Sequence, residues 1–83
     1  MEKLKINNLP HWISEIHLKQ FFHSCGKIVH VSVAIDQQTR RHLGYGYLVF
    51  ADAPATEKAL QKDGASLDGV VIQVTIEVDA VPS

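Results

Sequence analysis

The sequence predicts an α+β fold in which strands and helices follow one another as β-α-β-β-α-β. Three observations carry this. Leu43 to Phe50 alternates in the manner of a strand, with tyrosines two residues apart on one face and Leu48 and Phe50 on the other. Leu18, Phe21, Phe22 and Cys25 recur at the spacing of one helix face. Turn-forming residues separate these stretches, and at 83 residues the chain has room for one small domain with a thin core.

The first strand is Lys3 to Asn8, with Leu4 and Ile6 on one face and Lys3, Lys5 and Asn7 on the other. Pro10-His11-Trp12-Ile13 is a loop. Ser14 then caps a helix reaching Gly26, with Glu15 in the first turn complementing the helix dipole. Ile13 and Leu18 have the spacing of a hydrophobic staple. Ile16 lies off the apolar stripe. Lys27 to Ile35 is the second strand, with Val31, Val33 and Ile35 facing the core and His30, Ser32 and Ala34 facing the tyrosine side. Asp36 to His42 is a polar hairpin loop whose Arg40, Arg41 and His42 are the densest positive cluster in the chain.

The octamer follows as the third strand. Leu43, Tyr45, Tyr47 and Val49 share its outer face, and Gly44 and Gly46 sit where something must pack closely. An ordinary strand would put its aromatics inside. Here two tyrosines lie flat on an outer surface, at a spacing where each can stack on a separate nucleobase. Asp52 caps the second helix, Pro54 is tolerated in its first turn, and Gly64 closes it. Thr56, Ala59 and Leu60 form its packing face. Ser66-Leu67-Asp68-Gly69 is a turn. Val70 to Val78 is the last strand, with Ile72, Val74 and Ile76 inward and Val71, Gln73, Thr75 and Glu77 on the tyrosine side. The tail from 79 to 83 is expected to be flexible. The result is a ferredoxin-like sandwich: one four-stranded antiparallel sheet with two helices on one face.

Leu43-Gly44-Tyr45-Gly46-Tyr47-Leu48-Val49-Phe50 resembles the octamer signature of the RNA recognition motif family, Lys/Arg-Gly-Phe/Tyr-Gly/Ala-Phe-Val-x-Phe/Tyr. Gly44, Tyr45, Gly46, Tyr47 and Phe50 match it, Leu48 is a conservative change, and Leu43 replaces the expected base. Leu4-Lys5-Ile6-Asn7-Asn8-Leu9 resembles the family's hexamer, with Lys5 where the family has an aromatic. The resemblance covers about residues 3 to 78 of a single domain spanning 1–83. It implies single-stranded RNA binding through the sheet face, in a module of an RNA-processing or RNA-regulatory protein. Tyr45 and Tyr47 would stack bases, with Leu43 beside them. Asn7, Gln73 and Thr75 would meet base edges, and Lys5, Arg40 and Arg41 phosphates. Lys5 equally fits a base contact or an ordinary solvated lysine.

The remaining composition bounds the alternatives. Net charge is −1, which argues against a tight, sequence-blind polyanion binder but leaves a stacking-based one open. Cys25 is the single cysteine, so no disulfide forms within the chain, and its place on the helix stripe makes it a small buried hydrophobe. His11, His17, His23, His30 and His42 have no metal-ligand spacing. Neither a catalytic constellation, a cofactor motif nor a membrane span is legible, which predicts an intracellular binding protein, not an enzyme. A second reading is a protein-interaction module on the same fold. Trp12 and Ile16 would form an exposed apolar patch on the helical face, beside the acidic Glu57, Asp63 and Asp68. Trp12 could instead fold back over the small core.

Overall fold

The computed structural model describes residues 2–77. The elements are β1 (Lys3–Asn7), α1 (Glu15–Phe22), β2 (Ile28–Ile35), β3 (His42–Phe50), α2 (Ala53–Leu60), β4 (Ser66–Leu67), β5 (Val70–Val71) and β6 (Gln73–Glu77). Four strands form an antiparallel sheet in the order β2-β3-β1-β6, and β4 and β5 form a separate two-stranded ribbon. The fold is the ferredoxin-like α+β sandwich that the sequence predicts. The tail from 79 to 83 and Val78 lie outside the described residues.

One face of the sheet meets the two helices. Leu4, Ile6, Leu48, Phe50, Ile72 and Val74 from the strands close against Leu18, Phe22, Ala55 and Ala59 from the helices, all essentially without solvent contact. Each fully buried Leu, Ile or Phe adds about 1.5–3 kcal/mol, so this one layer carries the stability of so small a domain. Ile13 and Leu18 are both buried in it, as the staple spacing requires. Gly46 faces this layer: a β-carbon there would stand 2.5 Å from the Ser32 carbonyl oxygen and 3.2 Å from Leu18 Cδ1. The close approach read from the sequence is therefore the seat of α1. Gly44 serves differently. Its φ is +87°, its surroundings are open, and it lies where the β2–β3 pairing slips by two residues between Val33↔Gly46 and Ile35↔His42.

Several boundaries depart from the sequence reading. The first helix ends at Phe22 and passes into a 3-10 turn, His23–Cys25, because the chain must swing Gly26 against Ala55 of α2. Cys25 is buried there, and burial pushes its thiol pKa up. The second helix ends at Leu60, not Gly64; Gly64 donates its N–H to the Ile72 carbonyl at 2.9 Å. The strand expected from Val70 to Val78 is broken. Asp68 and Gly69 both have positive φ, the signature of a two-residue hairpin turn, and they fold Val70–Val71 back on Ser66–Leu67. Val71 therefore belongs to the ribbon and not to the tyrosine face. Two residues expected in the core are exposed. Ile35 lies at the end of the edge strand β2, and Ile76 lies near the end of the other edge strand, where the helical layer leaves it open.

Candidate nucleic-acid interface

The outer face of the sheet is a lattice whose rows follow from strand register. Side chains alternate across each strand, so residues paired directly across neighbouring strands share a face. One row is Gln73–Asn7–Tyr45, the next is Thr75–Lys5–Tyr47–Ser32, and the third is Glu77–Lys3–Val49–His30. Six of the residues singled out from the sequence, Lys5, Asn7, Tyr45, Tyr47, Gln73 and Thr75, thus stand together on two adjacent rows. The two central strands carry the tyrosines and their partners. The flanking strand β6 supplies the exposed polar side chains of Gln73 and Thr75.

The tyrosines are not both flat. Their ring centroids are 5.8 Å apart and the planes stand at 84°, an edge-to-face pair. Each ring also carries a cation: Lys5 Nζ lies 4.6 Å from the Tyr45 centroid and Lys3 Nζ 4.7 Å from that of Tyr47. The lysine in the aromatic slot of the hexamer therefore lies over a ring. The isolated sheet satisfies its own π-faces, with an ammonium where a nucleobase would stack. Lys3, which the sequence reading placed on this face without assigning it a role, is an equal member of the arrangement. Its alternation with Lys5 and Asn7 was the available signal. Ser32, opposite Tyr47, adds a hydroxyl to the same row.

Arg40, Arg41 and Leu43 lie beyond these rows, at the Tyr45 end of β3. Leu43 is half-exposed and both arginines are exposed. Their loop is held by Asp36, whose carboxylate accepts the backbone N–H of Gln38 at 2.8 Å and of Thr39 at 3.1 Å. These bonds hold the Asp36 carboxyl below its ordinary pKa. The Asp36 carbonyl accepts the Arg40 N–H and its N–H donates to the Arg41 carbonyl, both at 2.8 Å, so the loop presents the arginines from a closed turn. Arg40 itself has a φ of +62°.

Trp12 and Ile16 stand apart from the tyrosine rows, on the helical side. Trp12 is 49% exposed and neither lies over the core nor hangs free. Its indole N–H donates to the Asp68 carboxylate at 2.8 Å, and its ring meets His11 edge-on. Asp63 is likewise engaged, accepting the Val74 N–H at 2.9 Å. Two of the three acids read as an acidic face are thus spent on internal bonds, and Glu57 remains exposed. Among the described residues no three histidine, cysteine or acidic side chains gather as a metal site, and no helix is long and apolar enough to cross a membrane.

Comparison with known proteins bears on this geometry. The chain is 37% identical over 73 residues to the serine/arginine-rich splicing factor SR45 of Arabidopsis thaliana, covering 87% of this chain and 18% of that protein. It is 33% identical to the chloroplastic 31 kDa ribonucleoprotein of Nicotiana sylvestris, over 93% of this chain and 25% of that one. The chain therefore spans about a quarter or less of the length of these relatives. Among solved structures, the second RRM domain of yeast poly(U)-binding protein superposes with a TM-score of 0.86 at 20% identity, over 98% of this chain and 99% of that one. A Sxl-lethal protein–RNA complex superposes with a TM-score of 0.89 at 21% identity, over 98% and 49% of the respective chains. These two likenesses establish the fold. The family described as the RNA recognition motif matches residues 4–73. The chain belongs to the RNA recognition motif family.

Proposed function

We propose that the outer sheet face binds single-stranded RNA by stacking, with residues 1–83 acting as one binding module of a larger RNA-processing or RNA-regulatory protein. The observation that carries this is the lattice itself. Two tyrosines stand side by side on the outer face, ringed by Lys3, Lys5, Asn7, Gln73 and Thr75 in adjacent rows. A face meant for solvent has no use for two adjacent aromatic rings, and a face meant for a protein core would lack the surrounding lysines and amides. The names of the relatives, a splicing factor and a ribonucleoprotein, support the same reading.

In this reading one base stacks on Tyr45 and its neighbour on Tyr47. The ring pair must leave its edge-to-face arrangement, and each ammonium must yield its ring. Lys3 and Lys5 then move the short distance to the phosphates. Asn7, Gln73 and Thr75 meet base edges, and the Arg40–Arg41 loop meets the strand as it leaves past Leu43. The module acts by binding and performs no catalysis.

Fluorescence anisotropy with a labelled oligouridylate tests this. Each stacked base is worth about 1–3 kcal/mol, so Tyr45→Ala or Tyr47→Ala weakens binding by about 5- to 150-fold. The double variant, confirmed folded by circular dichroism, loses measurable binding. A folded double variant that binds as the parent does would overturn the proposal.

A further inference from the structure

Three large apolar side chains left in solvent, Trp12, Ile16 and Ile35, line one groove. It runs between the loop before α1, the first turn of that helix, and the distal end of the β2–β3 hairpin. Its volume is about 530 Å³, and Ile13 and Val33 complete an aliphatic floor. Val33 and Ile35 belong to the helical side of the sheet, so β2 separates this groove from the tyrosine rows.

The rim is polar and positively biased. Arg40 and His42 line the groove, and with His11 and Arg41 they line a second hollow around the hairpin. Glu15 is the one acid in the lining, against the two arginines. His42 is specific in what it offers. Its Nδ1 accepts the Gly44 N–H at 2.7 Å, which in the neutral ring leaves the proton on Nε2. That Nε2 is shielded and has no hydrogen-bond partner among the described residues. A shielded donor without an acceptor is costly, and an incoming acceptor would satisfy it.

We propose that this groove binds a short acidic segment of a partner protein, an aliphatic or aromatic anchor seated on Ile13, Ile16, Val33 and Ile35 and a neighbouring carboxylate on His42 Nε2 and the Arg40 guanidinium. Charge complementarity selects an acidic ligand. The aliphatic floor selects a peptide over a nucleobase, since bases stack on rings and the one ring here, Trp12, already meets His11 edge-on. The inference stands independently of RNA binding on the sheet. Where both hold, Arg40 serves both ligands, so each weakens the other reciprocally.

The test is selection of a phage-displayed random dodecapeptide library on the intact chain, with Ile16→Glu as the counter-selecting surface. Ile16 is 65% exposed, so this variant keeps the core; an NMR spectrum verifies that. The expected peptides combine carboxylates with an apolar anchor and shift the signals of Trp12, Ile16, Ile35 and His42. Their affinity falls by at least about tenfold on Ile16→Glu, as loss of one buried aliphatic contact requires, and also falls on Arg40→Gln. No enrichment over the Ile16→Glu surface, or enrichment of sequences without carboxylates, overturns the proposal. An oligouridylate that shifts the Trp12 indole signal in the Tyr45→Ala, Tyr47→Ala background and not in Ile16→Glu would assign the groove to RNA and overturn it equally.

Discussion

Replacing Gly46 with alanine tests whether the sheet is seated on α1 as tightly as described. The added methyl would stand 2.5 Å from the Ser32 carbonyl oxygen, about 0.9 Å inside the 3.4 Å at which ordinary contact begins. That oxygen is backbone, fixed in the β2–β3 ladder, so it cannot swing aside as a side chain would. The second obstacle, Leu18 Cδ1 at 3.2 Å, needs to give by only about 0.2 Å. Overpacking of this kind costs about 1–3 kcal/mol. In a domain of this size each kcal/mol lowers the midpoint by about 4–8 °C, so the expected fall in Tm is about 4–24 °C. Gly44→Ala is the paired control, because its nearest neighbour, the Leu9 oxygen, is 3.8 Å away and its penalty comes from a φ of +87°. Asparagine, which tolerates the left-handed region, should rescue position 44 and make position 46 worse. Thermal and urea unfolding followed by circular dichroism read both series. A Gly46→Ala protein within about 0.5 kcal/mol of the parent, the range of a neutral surface change, would refute the close seat.

Acid should release the β2–β3 loop before it unfolds the core. The Asp36 carboxyl is held below its ordinary 3.8 by the Gln38 and Thr39 N–H groups, so the loop's stabilisation is complete above that value and is lost as pH falls through the lowered one; the Gln38 and Thr39 amide signals should move in that window and Asp36→Ala should abolish the transition. Lys3→Met and Lys5→Met should each make RNA binding less salt-dependent, reducing the slope of log K against log salt by about 0.7; an unchanged slope would remove that lysine from the phosphate contacts. Cys25, buried and with its thiol pKa raised, should react slowly with a thiol reagent at pH 8 and rapidly in urea.

What was legible in the sequence was what depends on period. The alternation of Lys3, Lys5 and Asn7 against Leu4 and Ile6 placed β1 and its outer face, and the octamer placed both tyrosines. The buried faces of the two helices were equally plain. What escaped depends on where an element meets its neighbours. Ile35 and Ile76 keep an inward parity but lie near the ends of edge strands, where no neighbour covers them. The split of the last strand turns on the paired positive φ values of Asp68 and Gly69, which a Leu-Asp-Gly stretch permits without requiring. The orientation of the tyrosine rings could not be read either, since each is settled by its lysine and by the other ring.

The first strand lies in the interior of the sheet, and Lys3 pairs with Glu77 at the same end of the β1–β6 ladder. Tension applied across residues 3 and 77 would therefore load that ladder one pair at a time, from Lys3↔Glu77 toward Asn7↔Gln73, as a zip and not in shear. The same peeling that detaches β6 strips Gln73 and Thr75 from beside the tyrosines while β1, β3 and β2 are still joined. Within a longer polypeptide under load, the grip on a bound strand would slacken before the domain lost its core.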